Sequence, residues 1–312
     1  MSVDRVATNS QTNYMLSQIS KANSNLQQSE TQVSSGKVSD TYAGIGDKTA
    51  ALEGARVAAQ RADAYQANTQ LAVTQTDLQD TQLTTLAGLA SQLQKAVQTA
   101  AGNSDGTDLM NQANSIFQQA SQILNSTDAN GNYIYGGSLT DQKPFTATSL
   151  ANLSTGTVSS FFKNDSSKKT VQVGDGQTET IGVLASDIGT DLMTSLQNLY
   201  NLDGGTGSLS GALTTTQTDS LKNTVLPDAS KAATSLNSVT ALNGDVYNNL
   251  KSSITNQATM SKLYTGFVSD IEDVDMAKAL TNLSSNQTAL QAVLTVTSKL
   301  NNLSLLNFMP SQ

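Results

Sequence analysis

GNYIYGGSLTDQKPF, residues 131–145, decides how this chain is organised. Only 4% of the 312 residues are aromatic, yet Tyr133, Tyr135 and Phe145 fall together here. Asn130-Gly131 is a turn signal, and a short β-prone run, Tyr133-Ile134-Tyr135, follows it. Further short β-prone runs follow at 145–148, 158–162, 170–173 and 178–183, separated by Gly, Asn, Asp and Ser. This pattern predicts a small antiparallel unit over 129–185. Gly174-Asp175-Gly176 is its hairpin turn, and Tyr133, Tyr135, Gly137, Pro144 and Phe145 mark the entry to it. Tyr133 and Tyr135 would share one sheet face, with Ile134 on the other. The aromatics, with Phe161 and Phe162, have two readings: a miniature core for the unit, or a surface for a neighbouring subunit or ligand.

Outward from this segment both flanks read as helix. Only three prolines occur (Pro144, Pro227, Pro310), so nothing breaks a helix before residue 144. From about 48 to 101, Leu71, Leu78, Leu86, Leu93, Val97 and Ala100 recur near the helical period. At 1.5 Å per residue that segment would be about 75–80 Å long. A shorter helix follows with Leu109, Ala113, Ile116, Phe117, Ala120 and Leu124 on one side. Helix resumes at about 186–202, 213–262 and 270–306. The predicted fold is mainly α: a long helical rod or coiled-coil bundle built from both chain ends, with a small central antiparallel β domain. Its parts are paired terminal helices (1–45 and 270–312), a helical rod (46–128 and 186–269) and the outer β domain (129–185).

Both termini carry heptad seams. Leu16, Ile19, Leu26 and Val33 mark the first, with Asn23 and Glu30 at intervening seam positions and Gly36 as the helix stop. Leu280, Leu283, Leu290, Leu294, Leu300 and Leu303 mark the second. The economical reading pairs the two helices with each other. Two helices alone bury too little, so lateral packing against copies of the same chain would supply the rest. These leucines and their neighbours form the predicted polymerisation seam.

Composition removes several function classes. Cys and His are absent, which takes away thiolate nucleophiles, Cys/His zinc sites and the commonest general base. No catalytic, cofactor or metal residue is predicted, and the chain is read as non-enzymatic. A net charge of −8 and pI near 4.5 argue against nucleic acid. No apolar run is long enough for a membrane span, and the N-terminus lacks a signal-peptide core. The acids Asp270, Glu272, Asp273 and Asp275 lack the alternation and distal Glu of a calcium loop, so they read as helix-start caps. Gly44 to Thr49 lacks the glycine before lysine that a phosphate loop needs.

SDIEDVDMAKALTNLSSNQTALQAVL (269–294) and the later LNNLSLLNFM (300–309) resemble the C-terminal signature of the flagellin family, through Ser269, Ile271, Glu272, Asp273 and Asp275. LQQSETQVSSGK (26–37) is similar to that family's N-terminal arm. The opening stretch resembles G-x-Y-I-F-x-G-x-x-T-x-x-x-P-F of the family's hook–filament junction branch, and filament flagellins differ there. Where the family usually has a proline-containing stretch after Lys37, this chain has residues 39–46, SDTYAGIG. The resemblance implies a secreted, structural subunit of the bacterial flagellum that joins hook to filament by helical self-assembly. Its implied partners are copies of itself, a neighbouring hook-side junction protein, filament flagellin, and an export chaperone on the C-terminal helix. Export would use the flagellar type III channel without a cleaved signal. The alternatives are a filament flagellin and, further off, an extracellular glycan-binding protein.

Overall fold

The computed structural model describes the backbone of residues 2–306 and the side chains of residues 10–300. Nine α-helices and one hairpin make up most of the regular structure among them, with short 3₁₀ and π turns between: α1 (Ser2–Ser35), α2 (Tyr42–Ile45), α3 (Thr49–Asn103), α4 (Leu109–Leu124), α5 (Leu150–Leu153), β1 (Thr170–Gly174), β2 (Gln177–Thr180), α6 (Ala185–Asp203), α7 (Thr215–Ser220), α8 (Leu226–Glu272) and α9 (Met276–Leu306). The chain divides into two compact units, residues 62–258 and the two ends, 1–61 with 259–312. Among the described residues no helix is long and apolar enough to cross a membrane.

In the unit of residues 62–258, apolar periodicity is read directly into packing. The six residues placed on one side of α4 by their spacing are the six that it buries. α6 buries Leu192, Leu196 and Leu199, and ends on Gly204 at φ +65, a left-handed cap that releases two carbonyls to the Gly204 N–H. Thr214 and Gln217 start α7 with a reciprocal capping box. A π-turn, Leu221–Val225, then leads into α8. Pro227 lies two residues beyond it and has no N–H for the carbonyl one turn back, a local reason for the widened helix.

α3 departs from its apolar spacing. Leu86, Leu93, Val97 and Ala100 are buried, but Leu71 is 73% exposed and Leu78 45%. The buried positions at this level are Thr69, Ala72, Val73, Thr76, Gln79 and Leu83. Small and polar residues fill the seam here, and the leucines face water. A search for the most apolar face selects the wrong one wherever a narrow helix–helix seam takes small residues.

The central region holds fewer strands than its composition predicts. Only β1 and β2 form a sheet, an antiparallel hairpin with Thr170 opposite Thr180, Gln172 opposite Thr178 and a bulge before Gly174. Asp175-Gly176 is its turn, and Val173 and Ile181 pack with Ala72, Val73 and Leu250. The other β-prone runs make single bridges, Thr127 with Tyr133 and Phe145 with Phe162, while Val158–Phe161 is a 3₁₀ turn. Gly136, Gly137 and Pro144 interrupt them before a ladder can extend. Their aromatics are used differently. Phe145 packs against Phe162 with the rings tilted and their centroids 5.0 Å apart, and meets Phe117 of α4 edge-on at 6.2 Å. Tyr135 and Phe145 thus belong to the same core as α3, α4, α6 and α8, rather than to a separate miniature one.

Candidate assembly surface

The terminal unit is built on the pairing of α1 with α9. On α1, Met15, Ile19, Ala22, Leu26, Ser29 and Val33 are half-buried or buried at a spacing of 4-3-4-3-4, with Gln18 and Gln32 half-buried beside them. On α9 the matching set is Ala279, Leu283, Asn286, Leu290, Val293, Thr297 and Leu300. Such a repeat is the seam of a two-helix coiled coil. Its polar layer is explicit: Asn286 donates to Ser29 Oγ at 2.8 Å and to the Asn25 carbonyl at 3.3 Å. Ser29 is 5% exposed, so this pair fixes register in the seam.

The predicted seam residues divide into two groups. Ile19, Leu26, Val33, Leu283, Leu290 and Leu300 lie in the intramolecular seam. Leu16, Leu280 and Leu294 do not; they are 59%, 51% and 49% exposed. The polar positions Asn23 and Glu30 share the exposed stripe of Leu16, one residue off the seam, and Ser29 takes the buried place. Tyr14 and Val296 add to the exposed apolar surface. Leu303 lies outside the residues whose side chains are described.

At the head of this pair the two connecting loops are locked together. Gly36, at φ +71, ends α1 and returns its N–H to the Gln32 carbonyl. Val38 N–H then donates to the Glu272 carbonyl at 2.7 Å, and Val274 N–H to the Gly36 carbonyl at 2.9 Å. Between these two bonds the Glu272 carboxylate accepts from Lys37 Nζ at 2.5 Å and Arg56 Nη2 at 2.6 Å. Arg56 also holds Glu53 at 2.9 Å, and the Tyr42 hydroxyl donates to the same Glu53 oxygen at 2.7 Å. The Lys37 ammonium, followed by the Arg56 guanidinium, pulls the Glu272 carboxyl below its usual range. Its side chain is only 9% exposed, so a carboxylate there needs both cations.

The acidic motif around Glu272 is therefore more than a helix start. Asp275 alone caps α9, accepting from Ala277 N–H at 3.0 Å and Lys278 N–H at 3.1 Å. Asp273 accepts from the Ser269 hydroxyl within the last turn of α8. Ile271 is half-buried, and Asp270 is exposed. Sequence reading missed Arg56; its signal was the Glu53–Arg56 spacing of three, a helical ion pair.

Three of the five entry residues of the central region are interior and the other two half-buried. Pro144, Tyr135 and Phe145 are buried, and Tyr133 is half-buried with its N–H on the Thr140 carbonyl. Tyr135 donates its hydroxyl to Gln82 Oε1 at 2.5 Å, and burial pushes that phenol upward. Gly137, at φ +73, lies against Asp165, which also accepts Ser138 N–H at 3.0 Å; a side chain there would displace the carboxylate. Among the described residues no cluster of three or more Asp, Glu, His or Cys is placed to hold a metal ion.

Comparison with known proteins adds a family match for the C-terminal arm and a shared fold. Residues 227–309 match the model of the bacterial flagellin C-terminal helical region. The fold is shared with a protein assigned as a flagellar hook-associated protein of Vibrio parahaemolyticus, at a TM-score of 0.59 and 14% identity over 75% of this chain and 99% of that one. It is also shared with FlgL of Bacillus cereus, at 0.51 and 14% identity over 70% of this chain and 98% of that one. No curated protein matches by sequence.

Proposed function

We propose, from a C-terminal arm that matches the bacterial flagellin C-terminal helical region, that this chain is a structural subunit of the bacterial flagellum and joins hook to filament by helical self-assembly. One observation carries the assembly reading. The α1–α9 pair spends one heptad stripe on itself and leaves a second, with Leu16, Leu280 and Leu294, facing water. Exposed apolar stripes on both helices of a pair are surfaces for further helices, and copies of the same chain offer the matching ones. The junction role is supported by the 131–145 stretch and by the names of the two proteins that share the fold. Neighbours would be a hook-side junction protein on one face and filament flagellin on the other. Before assembly an export chaperone would cover the stripe of α9, and export would use the type III channel. The role is mechanical and needs no catalytic group.

Immunogold labelling of intact flagella tests the position. A single band at the distal end of the hook is expected. Labelling along the filament would instead make the chain a filament flagellin. A strain lacking the chain should keep its hooks and shed flagellin monomers into the medium.

A further inference from the structure

The chain contains two Asn-Gly pairs, Asn130-Gly131 and Asn243-Gly244, in opposite environments. Asn-Gly is the dipeptide in which the following backbone nitrogen reaches the side-chain carboxamide most freely, because glycine puts no Cβ in the way. Asn243 lies inside α8, is 5% exposed, and its Nδ2 donates to the Thr76 carbonyl at 3.2 Å and to Asp80 at 3.4 Å. Helical hydrogen bonding commits the Gly244 N–H as well. Asn130 lies outside any helix, and only its backbone neighbour is held. Residues 128–131 are all exposed, and the Asn130 carboxamide makes no hydrogen bond among the described residues. Gly131 sits at φ +83 with open space where a Cβ would stand. One bond opposes reaction, from Gly131 N–H to the Asp128 carbonyl at 3.0 Å, and it lies at the surface where water competes for both groups.

We propose that Asn130 is a site of spontaneous deamidation and isoaspartate formation in the folded protein, and that Asn243 is protected by its helix. The Gly131 backbone nitrogen gives its proton to solvent base and attacks Asn130 Cγ. The new N–Cγ bond forms as the C–NH₂ bond breaks, and ammonia leaves. Water then opens the five-membered imide at either carbonyl, giving an aspartyl or an isoaspartyl residue. The net change is amide plus water to carboxylate plus ammonium, without any oxidant or cofactor. The isoaspartyl form lengthens the backbone by one methylene inside a turn closed by two bonds. These are Gly131 N–H to the Asp128 carbonyl, and Asp128 N–H to the Asn132 carbonyl at 2.8 Å. It also sets a second carboxylate near Asp128, whose own carboxylate already accepts the Asn130 and Asn132 N–H groups. The turn therefore loosens with age at the entry to the central region.

The test is peptide mapping of the full-length chain after incubation in mildly alkaline buffer, with enzymatic methylation to report isoaspartate. The same measurement in urea is the control. In the folded chain Asn130 should convert at least about tenfold faster than Asn243, because opening a surface turn costs far less than opening a packed helix. In urea the two should convert at similar rates. Equal rates in the folded chain would overturn the proposal, and so would an intact Asn130 under conditions where the unfolded chain reacts.

Discussion

A single carboxylate, Glu272, holds together segments far apart in the chain: its partners Lys37 and Arg56 stand 235 and 216 residues away. Glu272→Ala removes one acceptor from two cations. Both retain solvent, with side chains 45% and 32% exposed, so the loss is that of charge-assisted hydrogen bonds rather than of stranded charges. A cost of about 1–3 kcal/mol to the terminal unit is expected. Hydrogen exchange should report it as faster exchange at Val38 and Val274, the amides that bond across the two loops. The pH dependence has a definite sign. The folded carboxyl lies below its ordinary 4.5, so its contribution is complete above that value and is lost as pH falls through the lower, folded one. Val38 and Val274 should therefore lose protection on acidification below about pH 4.5, and the Glu272→Gln variant should show no such step. The residue itself was legible in the sequence, as part of a family motif. Its role was not. Adjacent acids suggested a helix cap, and only Asp275 is one; no local pattern can show that a cation more than 200 residues away completes the site.

The helices themselves were legible, and their faces were only partly so. α4 and α6 were read correctly because large aliphatic side chains mark their buried sides. α3 mixes that signal with an inverted stretch, where leucine faces out and Thr76, Gln79 and Asn243 of α8 face in. This layer separates two apolar clusters, one reaching Leu83 and Leu236, the other Val73 and Leu250. Asn243 finds the Thr76 carbonyl, but both amide atoms of Gln79 lack a partner among the described residues. A buried amide without partners costs roughly 1–3 kcal/mol, and Met is close to Gln in shape without that cost. Gln79→Met should therefore stabilise the protein, raising its urea midpoint at unchanged slope. The leucines follow their burial. Leu86→Ala, at 0% exposure, should cost about 2–5 kcal/mol, while Leu71→Ala, 73% exposed, should change stability by less than about 0.5 kcal/mol. If Leu71→Ala proved as costly as Leu86→Ala, the seam assigned to α3 would be wrong.

At the scale of the whole molecule the two units differ in how far they satisfy themselves. Residues 62–258 close an apolar core around Tyr135, Phe145 and the leucines of α3, α6 and α8. The terminal unit has seams instead, and its outer stripe meets water in the single chain. Sequence periodicity revealed that both ends carry heptads. It could not divide their leucines into those paired within the chain and those left over, since Leu290 and Leu294 look alike until the partner helix is placed. That division yields a discriminating pair of variants. Leu290 is half-buried against α1, so Leu290→Asp places a charge in the seam and should both destabilise the α1–α9 pair and abolish assembly. Leu294 is 49% exposed. Leu294→Asp should leave the monomer's melting within about 0.5 kcal/mol of the parent, yet still prevent incorporation into flagella, because its charge would fall in the contact between copies. Neither residue belongs to the core of residues 62–258, so the helical signal of that unit should persist in both variants. Sedimentation of the purified monomers and counting of labelled subunits in isolated flagella separate the two effects. Normal incorporation of the Leu294→Asp chain would show that the exposed stripe is not an assembly surface, and that the intramolecular seam alone carries the terminal helices.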